Sequence, residues 1–332
     1  MKKIIILSGK GGVGKTTISC ATALKIADIE KDANVLIVSF DIAHNLADVF
    51  GVDIGNNLTK LTDNLWGIEP DPDYYIDEYT RKTFALAKAT IYDLVVTRLS
   101  PTLKSMIDML LTKENIPMQA KQSAFFQIFL NADAEKYDYV IGDFPPSGGA
   151  LNLFEVPVFF IDQLMKKFMT GATESAVKIA YEGVRRLLNP LKILDGRSPL
   201  GELLEEVKDI KKKGDTVHQM LKDYLSFRLV TIPEKASILE TLDDIEIFEH
   251  YYSPDCLYIN KIISDEVIQG NKFLEEKKKE QITRVEEVRE RIKLKTFEIP
   301  LNSNEPINIE GLRKLATNIY GDASLNDILN PK

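Results

Sequence analysis

Only two cysteines, Cys20 and Cys256, occur in this chain of 332 residues, far apart and outside any CxxC or Cys/His spacing. Neither a disulfide framework nor a zinc site of that kind is indicated, and the pattern suits a reducing, cytoplasmic setting. The three histidines, His44, His218 and His250, are too dispersed to form a metal-binding constellation. Long apolar runs are also missing: no stretch of about 18 uninterrupted apolar residues occurs, so no transmembrane helix is expected. The opening MKKIIILSGK holds four consecutive apolar residues, Ile4 to Leu7. A signal-peptide core needs about 7–15, so this run reads as a buried strand. Nor is there an excess of basic residues. With 42 Lys and Arg against 50 Asp and Glu, the net charge is −8, which argues against a broad nucleic-acid footprint, and no nucleic-acid partner is expected. Internal repeats, low-complexity tracts and Pro/Gly-rich linkers are absent as well.

What is present is material for a core, 44% hydrophobic residues, arranged as short β-branched runs. KIIILS (3–8), VLIVSF (35–40), LWGIEP (65–70), YDYVIGDF (137–144), FRLVTI (227–232), CLYINKI (256–262) and KTFEIP (295–300) read as strands. Several are apolar throughout, as strands buried on both faces of a parallel sheet are. Helical stretches separate them, which predicts an α/β fold with a mostly parallel sheet flanked by crossover helices. Two spacers, at about 71–135 and 150–225, exceed what one crossover needs and read as helical insertions. Met106, Met109, Met118, Met165 and Met169 all lie in them, as does Met220. Methionine is the adaptable filler of promiscuous apolar grooves, although it also fills ordinary helical cores. Residues 271–294 read as a charged, solvated helix with Glu and Lys/Arg at helical spacing. The simplest organisation is one nucleotide-binding domain over 1–330, with a helical subdomain built from the two insertions.

LSGKGGVGKTT (7–17) carries the chemistry. Gly9, Gly14, Lys15 and Thr16 satisfy GxxxxGK[ST], directly after a strand and before a helical run, the context that pattern requires. Its glycines, with Gly11, Gly12 and Val13 between them, let successive N–H groups point at phosphate oxygens. The helix N-terminus that follows, with Thr17 in its first turn, adds partial positive charge. Lys15 reaches the β- and γ-phosphates of a bound nucleotide, and Thr16 offers a hydroxyl to Mg²⁺. Lys10 lies inside the loop, where backbone amides already face the phosphates, so its side chain is expected to point outward. Two aspartates follow strands: Asp41 in VLIVSFDIAHNLADVF and Asp143 in YDYVIGDFPPSGGALNL. Asp41 sits at the carboxyl edge, where an open parallel sheet binds its ligand, and is assigned to polarising the attacking water. Asp143 is a Walker B type acid suited to hold Mg²⁺ through a water, and Gly148 and Gly149 after it permit a mobile loop. Each aspartate alone could be a helix cap, but with the glycine-rich loop the pair points to catalysis, and His44 is read as structural.

With these motifs in view, GKGGVGKTT, DIAHNLADVF and DFPPSGGALNL resemble the deviant Walker A loop and the two switches of the arsenite-pump ATPase (ArsA) family. That family, of the SIMIBI class of P-loop NTPases, includes the cytosolic ATPase that guides tail-anchored membrane proteins. VTIPEKASILET (230–241) resembles the family loop that packs on adenine, which implies roles for Pro233 and Glu234. Asn260 in LYINKII matches the family's adenine-reading asparagine, and IPLNSNEPINIEGLRKLA (299–316) resembles its C-terminal segment. The resemblance implies an ATP-hydrolysing homodimer in which Lys10 acts like an arginine finger across the interface. It also implies a hydrophobic client, a tail-anchored membrane protein among them, held in an apolar groove whose walls include 101–120 and 151–170, and a membrane receptor. Ile42 and Asn45 replace the usual Pro and Ser of the first switch, and Phe144, Pro145 and Gly149 alter the second. The CxxC that joins subunits through zinc in targeting homologues is missing after INKII, which excludes a zinc-clamped dimer. The cysteine cluster of the duplicated arsenite pumps is missing too. Two further classes share parts of the pattern: partition and division-site positioning ATPases, which share the deviant lysine, and nitrogenase-reductase-like carriers, which hold a cluster between two subunits.

Overall fold

A computed structural model describes residues 1–41, 46–71, 136–145, 212, 216–217, 219–249 and 252–331. The chain divides into two compact units, one of residues 1–71, 131–154 and 220–332 and a second of residues 72–130 and 155–219. The second lies outside the described residues except for Lys212, Thr216, Val217 and Gln219. Most of the two spacers, with Met106, Met109, Met118, Met165 and Met169, falls outside the description, as do Ile42, His44, Asn45, Gly148 and Gly149.

The first unit is built on an eight-stranded sheet. Its strands in chain order are β1 (Lys3–Ser8), β2 (Val35–Ser39), β3 (Thr59–Lys60), β4 (Leu65–Ile68), β5 (Tyr139–Asp143), β6 (Leu225–Thr231), β7 (Cys256–Ile262) and β8 (Lys295–Pro300). They lie in the order β3-β4-β2-β5-β1-β6-β7-β8. Every neighbouring pair is parallel except β3 with β4. The apolar runs end up where their composition requires: β2 and β5 are buried along their whole length, and β1 from Ile4 onward. The sequence reading gave seven of these strands to within about two residues at either end, and missed β3. That strand is two residues long, half solvated, and carries no apolar alternation to read.

Helix α1 (Lys15–Ile29) follows β1 through the loop at 9–14 and is buried nearly all round, with Ile18, Cys20, Ala21, Ala23, Leu24, Ile26 and Ala27 all in the core. A helix without a polar face belongs between two layers. Here it lies between the sheet and the C-terminal helices. Helix α2 (Leu46–Phe50) follows the first switch, α3 (Lys235–Phe248) follows β6, and α4 (Asp265–Ile268) follows β7. Helix α5 (Lys272–Arg291) is the expected charged helix, capped by Asn271 Oδ1 accepting from the N–H groups of Phe273 and Leu274, and burying only Val285 and Val288. Helix α6 (Asn308–Tyr320) buries Leu312, Leu315, Ala316 and Ile319, an i, i+3, i+4, i+7 stripe that packs on α1. Helix α7 (Leu325–Leu329), with a reciprocal capping box between Ser324 and Asp327, seats Ile328 in the core.

One feature of the core could not be read from hydrophobicity. Arg228 on β6 is fully buried. Its Nε donates to Ser226 Oγ at 2.9 Å, its Nη1 to the Tyr258 hydroxyl at 2.7 Å, and its Nη2 to the carbonyl of Ile328. The Tyr258 and Tyr320 hydroxyls are 2.8 Å apart, and Tyr320 reaches Thr22 Oγ1 on α1 at 2.7 Å. A guanidinium with several partners is the form in which a buried cation is tolerated. This network ties β6, β7, α6 and α7 to the helix that begins at the loop.

Candidate functional site

The carboxyl ends of β1, β2 and β5 meet at one edge of the sheet. Register places Leu7 of β1 and Ser39 of β2 on either side of Asp143, the last residue of β5. Asp41 follows Ser39 by two residues, half-buried, with its N–H 3.3 Å from Ser39 Oγ. The loop 9–14 leaves β1 at this same edge, so the two aspartates singled out from sequence flank the loop.

The loop's shape depends on glycine at two positions. Gly9 has φ of 145°, and a Cβ there would stand 2.2 Å from the carbonyl oxygen of Val230. Gly14, the N-cap of α1, has φ of 99°, and a Cβ would meet Asn260 Nδ2 at 2.4 Å. No other residue fits either place. Val13 is buried, Gly11 and Gly12 are exposed, and Thr17 is half-buried in the first turn of α1. Lys15 is buried, and its Nζ curls back to the carbonyl of Lys10 at 3.3 Å.

Thr16 Oγ1 donates to Asp143 Oδ2 at 2.6 Å. Asp143 is fully buried, and its other oxygen, Oδ1, has no hydrogen-bond partner among the described residues. Burial pushes its carboxyl up to about 7; the Thr16 hydrogen bond and the Lys15 ammonium pull it down, and the charges of Asp41 and Glu69 add to the rise. A buried carboxylate oxygen with no partner beside a hydroxyl is a pair of hard oxygen donors, which fits Mg²⁺, an ion that takes few protein ligands and keeps water and phosphate oxygens for the rest. Among the described residues no group of three or more His, Cys, Asp or Glu could hold a metal on its own.

The segments that carry the two aspartates touch. Phe40, before Asp41, and Phe144, after Asp143, meet edge to face with ring centroids 4.9 Å apart. The Phe40 N–H donates to the Asp143 carbonyl at 2.8 Å and the Phe144 N–H to that of Leu7 at 3.0 Å. Phe144 thus packs the segment after Asp143 against the residue before Asp41. Glu69, buried after β4, accepts the N–H groups of Leu46 and Ala47 at 2.9 and 3.0 Å and anchors the start of α2. Sequence reasoning passed over Glu69; its signal was a carboxylate at the end of an apolar strand.

Lys10 is partly exposed and makes an ion pair with Glu240 of α3, Nζ to Oε2 3.3 Å. The expectation of an outward-pointing side chain did not foresee this intrachain partner. Pro233 is buried after β6, and Glu234 is exposed as the N-cap of α3. Asn260, near the end of β7, lies against the loop: Nδ2 donates to the carbonyl of Val13 at 2.8 Å, and Oδ1 accepts from the N–H of Lys261. Lys261 Nζ donates to the carbonyl of Gly12 at 2.9 Å. Sequence reasoning named Asn260 and overlooked its neighbour, because a single lysine after a strand carries no periodic signal. Both cysteines are buried, Cys20 in α1 and Cys256 as the first residue of β7, at the opposite end of that strand from Asn260. Burial raises both thiols, that of Cys256 to about 12.

A parallel sheet with a glycine-rich loop leading from its central strand into a buried helix, and a carboxylate beside the loop's threonine, defines a P-loop nucleoside triphosphatase. The chain belongs to the anion-transporting ATPase (ArsA) family, whose model matches residues 2–321. It is an ATPase of that type and hydrolyses ATP. It is 28% identical over 321 residues to a protein of Aquifex aeolicus (strain VF5) named arsenical pump-driving ATPase 2, covering 95% of this chain and 98% of that one. An arsenical pump-driving ATPase of Halobacterium salinarum is 29% identical over 98% of this chain, which spans 45% of that longer protein. ATPase GET3 of Podospora anserina is 28% identical over 268 residues, 78% of this chain and 73% of the relative.

Proposed function

We propose that this ATPase works as a homodimer whose nucleotide cycle governs the shielding of a hydrophobic client helix, that of a tail-anchored membrane protein being the type case, for delivery at a membrane receptor. The observation that carries the chemistry is the convergence of Lys15, Thr16, Asp143 and Asp41 at one sheet edge around the loop. In this reading Lys15 and the loop amides bind the β- and γ-phosphates, and Thr16 and Asp143 hold Mg²⁺. The ion supplies charge neutralisation on the phosphate oxygens. Asp41 orients and polarises the attacking water. Pro233 and Glu234 pack at the adenine, and Asn260 reads it: with one N–H on Val13 and one lone pair on Lys261, its carboxamide keeps a second donor and a second acceptor for the base.

Lys10 serves the partner's nucleotide. Exposed ion pairs are worth about 0–1 kcal/mol, so its contact with Glu240 exchanges readily for a phosphate across a dimer interface. A trans cation of this kind contributes on the order of 10³–10⁵ in rate by analogy with arginine fingers.

The client half of the proposal is supported by the resemblance of both switches to the targeting ATPase and by the methionines of the spacers. A transmembrane segment has about 20 apolar residues, which water does not tolerate unshielded. The pump-driving role in the names of some relatives fits less well, since a soft metalloid needs accessible thiolates and both cysteines here are buried and held protonated. A positioning ATPase needs a free amphipathic helix or a basic face, whereas α7 packs Ile328 into the core.

Co-expression with a tail-anchored protein tests the reading, with Asp41→Asn as the trap. That variant should bind ATP and lose turnover by about 10²-fold or more, and should hold the client in a soluble complex on size exclusion. Normal hydrolysis by the unaltered protein with no client held, in the trap or without it, would refute the cargo and leave the chemistry standing.

A further inference from the structure

Successive side chains on a strand point to opposite faces. Asn260 and Lys261 do not obey this rule. Both reach the phosphate loop, and they take two adjacent carbonyls, Val13 at 2.8 Å and Gly12 at 2.9 Å. The cause lies in the backbone: the β7–β8 register shifts between Ile259 and Ile262, and Lys261 has a left-handed φ of 61°. Bulges of this sort re-aim a side chain beside an active site, and a lysine in the left-handed region is an outlier that the surroundings must hold in place. Gln281 of α5 does so. Its Oε1 accepts the N–H of Ile263 at 2.9 Å, and its Nε2 donates to the carbonyl of Lys261 at 3.1 Å.

The two contacts have a consequence for the amides. In a planar trans peptide the N–H points opposite to the C=O. Fixing the Gly12 carbonyl fixes the N–H of Val13, and fixing the Val13 carbonyl fixes that of Gly14. Both N–H groups are then turned to the side of the loop away from the clamp. We infer that the bulge at the end of β7 is a two-residue clamp that sets the phosphate loop in its nucleotide-binding shape, with Lys261 a positioning residue and Gln281 its support. This rests on the loop being the nucleotide site proposed above. Asn260 alone would fix one peptide, and Lys261 fixes the one before it. The charged helix α5, solvated over most of its length, acquires through Gln281 a part in nucleotide affinity.

The test uses the full chain, with ATP turnover and equilibrium binding of a fluorescent ATP analogue as readouts. Lys261→Asn is the informative variant, because asparagine tolerates the left-handed conformation and is too short to repeat the lysine's contact. It should raise KM for ATP and the analogue's Kd about 5–10-fold while kcat stays within about 2-fold, the mark of lost binding rather than lost chemistry. Lys261→Arg, which retains reach and charge, should restore both to within about 2-fold. Gln281→Leu, which cannot hold the Lys261 carbonyl, should raise KM in the same direction by a smaller factor. If Lys261→Asn binds and turns over ATP with unaltered constants, the clamp is overturned and the site reading survives. A fall in kcat with KM unmoved overturns it too. Failure of the unaltered protein to bind the analogue would overturn the site reading, and the clamp with it.

Discussion

Asp143 shows what one residue's surroundings do to its chemistry. Its ordinary carboxyl pKa near 3.8 is pushed to about 7 chiefly by burial, so the folded protein without nucleotide or metal takes up a proton here more readily than the unfolded chain does. The stability this group adds is fully present below about pH 4 and is lost as pH rises through 7, with a slope of up to about 1.4 kcal/mol per pH unit. Asp143→Asn removes that dependence. In metal-free buffer its melting temperature should gain on that of the unaltered protein between pH 5 and pH 8, as thermal unfolding at both values checks; parallel curves would mean that the carboxyl titrates normally. The same residue was legible in the sequence as an acid ending a strand. Its unpartnered oxygen was not, because that depends on how β1 and β2 close around it.

Among elements, the apolar strands and the glycine-rich loop were legible because their patterns are local: a run buried on both faces, a loop of fixed spacing. What was missed is non-local or too short to carry a pattern. Arg228, a charged residue within a β-branched run, is buried because Tyr258, Tyr320 and Ile328, distant in sequence, bring it partners. Lys10 and Glu240 likewise meet only once α3 has packed beside the loop. The hydroxyl network predicts a graded response. Tyr258→Phe leaves a guanidinium N–H of Arg228 without its acceptor and should cost about 1.5–3 kcal/mol. Tyr320→Phe loses a contact between neutral groups and should cost about 1 kcal/mol. Denaturant unfolding with unchanged m-values measures both; equal costs would show that the cation is not what makes the network matter.

At the scale of the whole molecule, the proposed homodimer requires two copies of the chain to complete each other's sites. A single copy carries the loop, both aspartates and Asn260 at one sheet edge, while Lys10 is engaged with Glu240. The most direct measurement is ATP turnover in an equimolar mixture of Lys10→Ala and Asp41→Asn proteins, each expected to be nearly silent alone. If Lys10 acts across the interface, a mixed dimer has one complete site, in which the Lys10→Ala chain supplies Asp41 and its partner supplies the lysine. With random pairing, turnover should recover to about a quarter of that of the unaltered protein. No recovery, in a mixture shown by labelling to form mixed dimers with ATP, would place Lys10 at its own nucleotide and contradict the account.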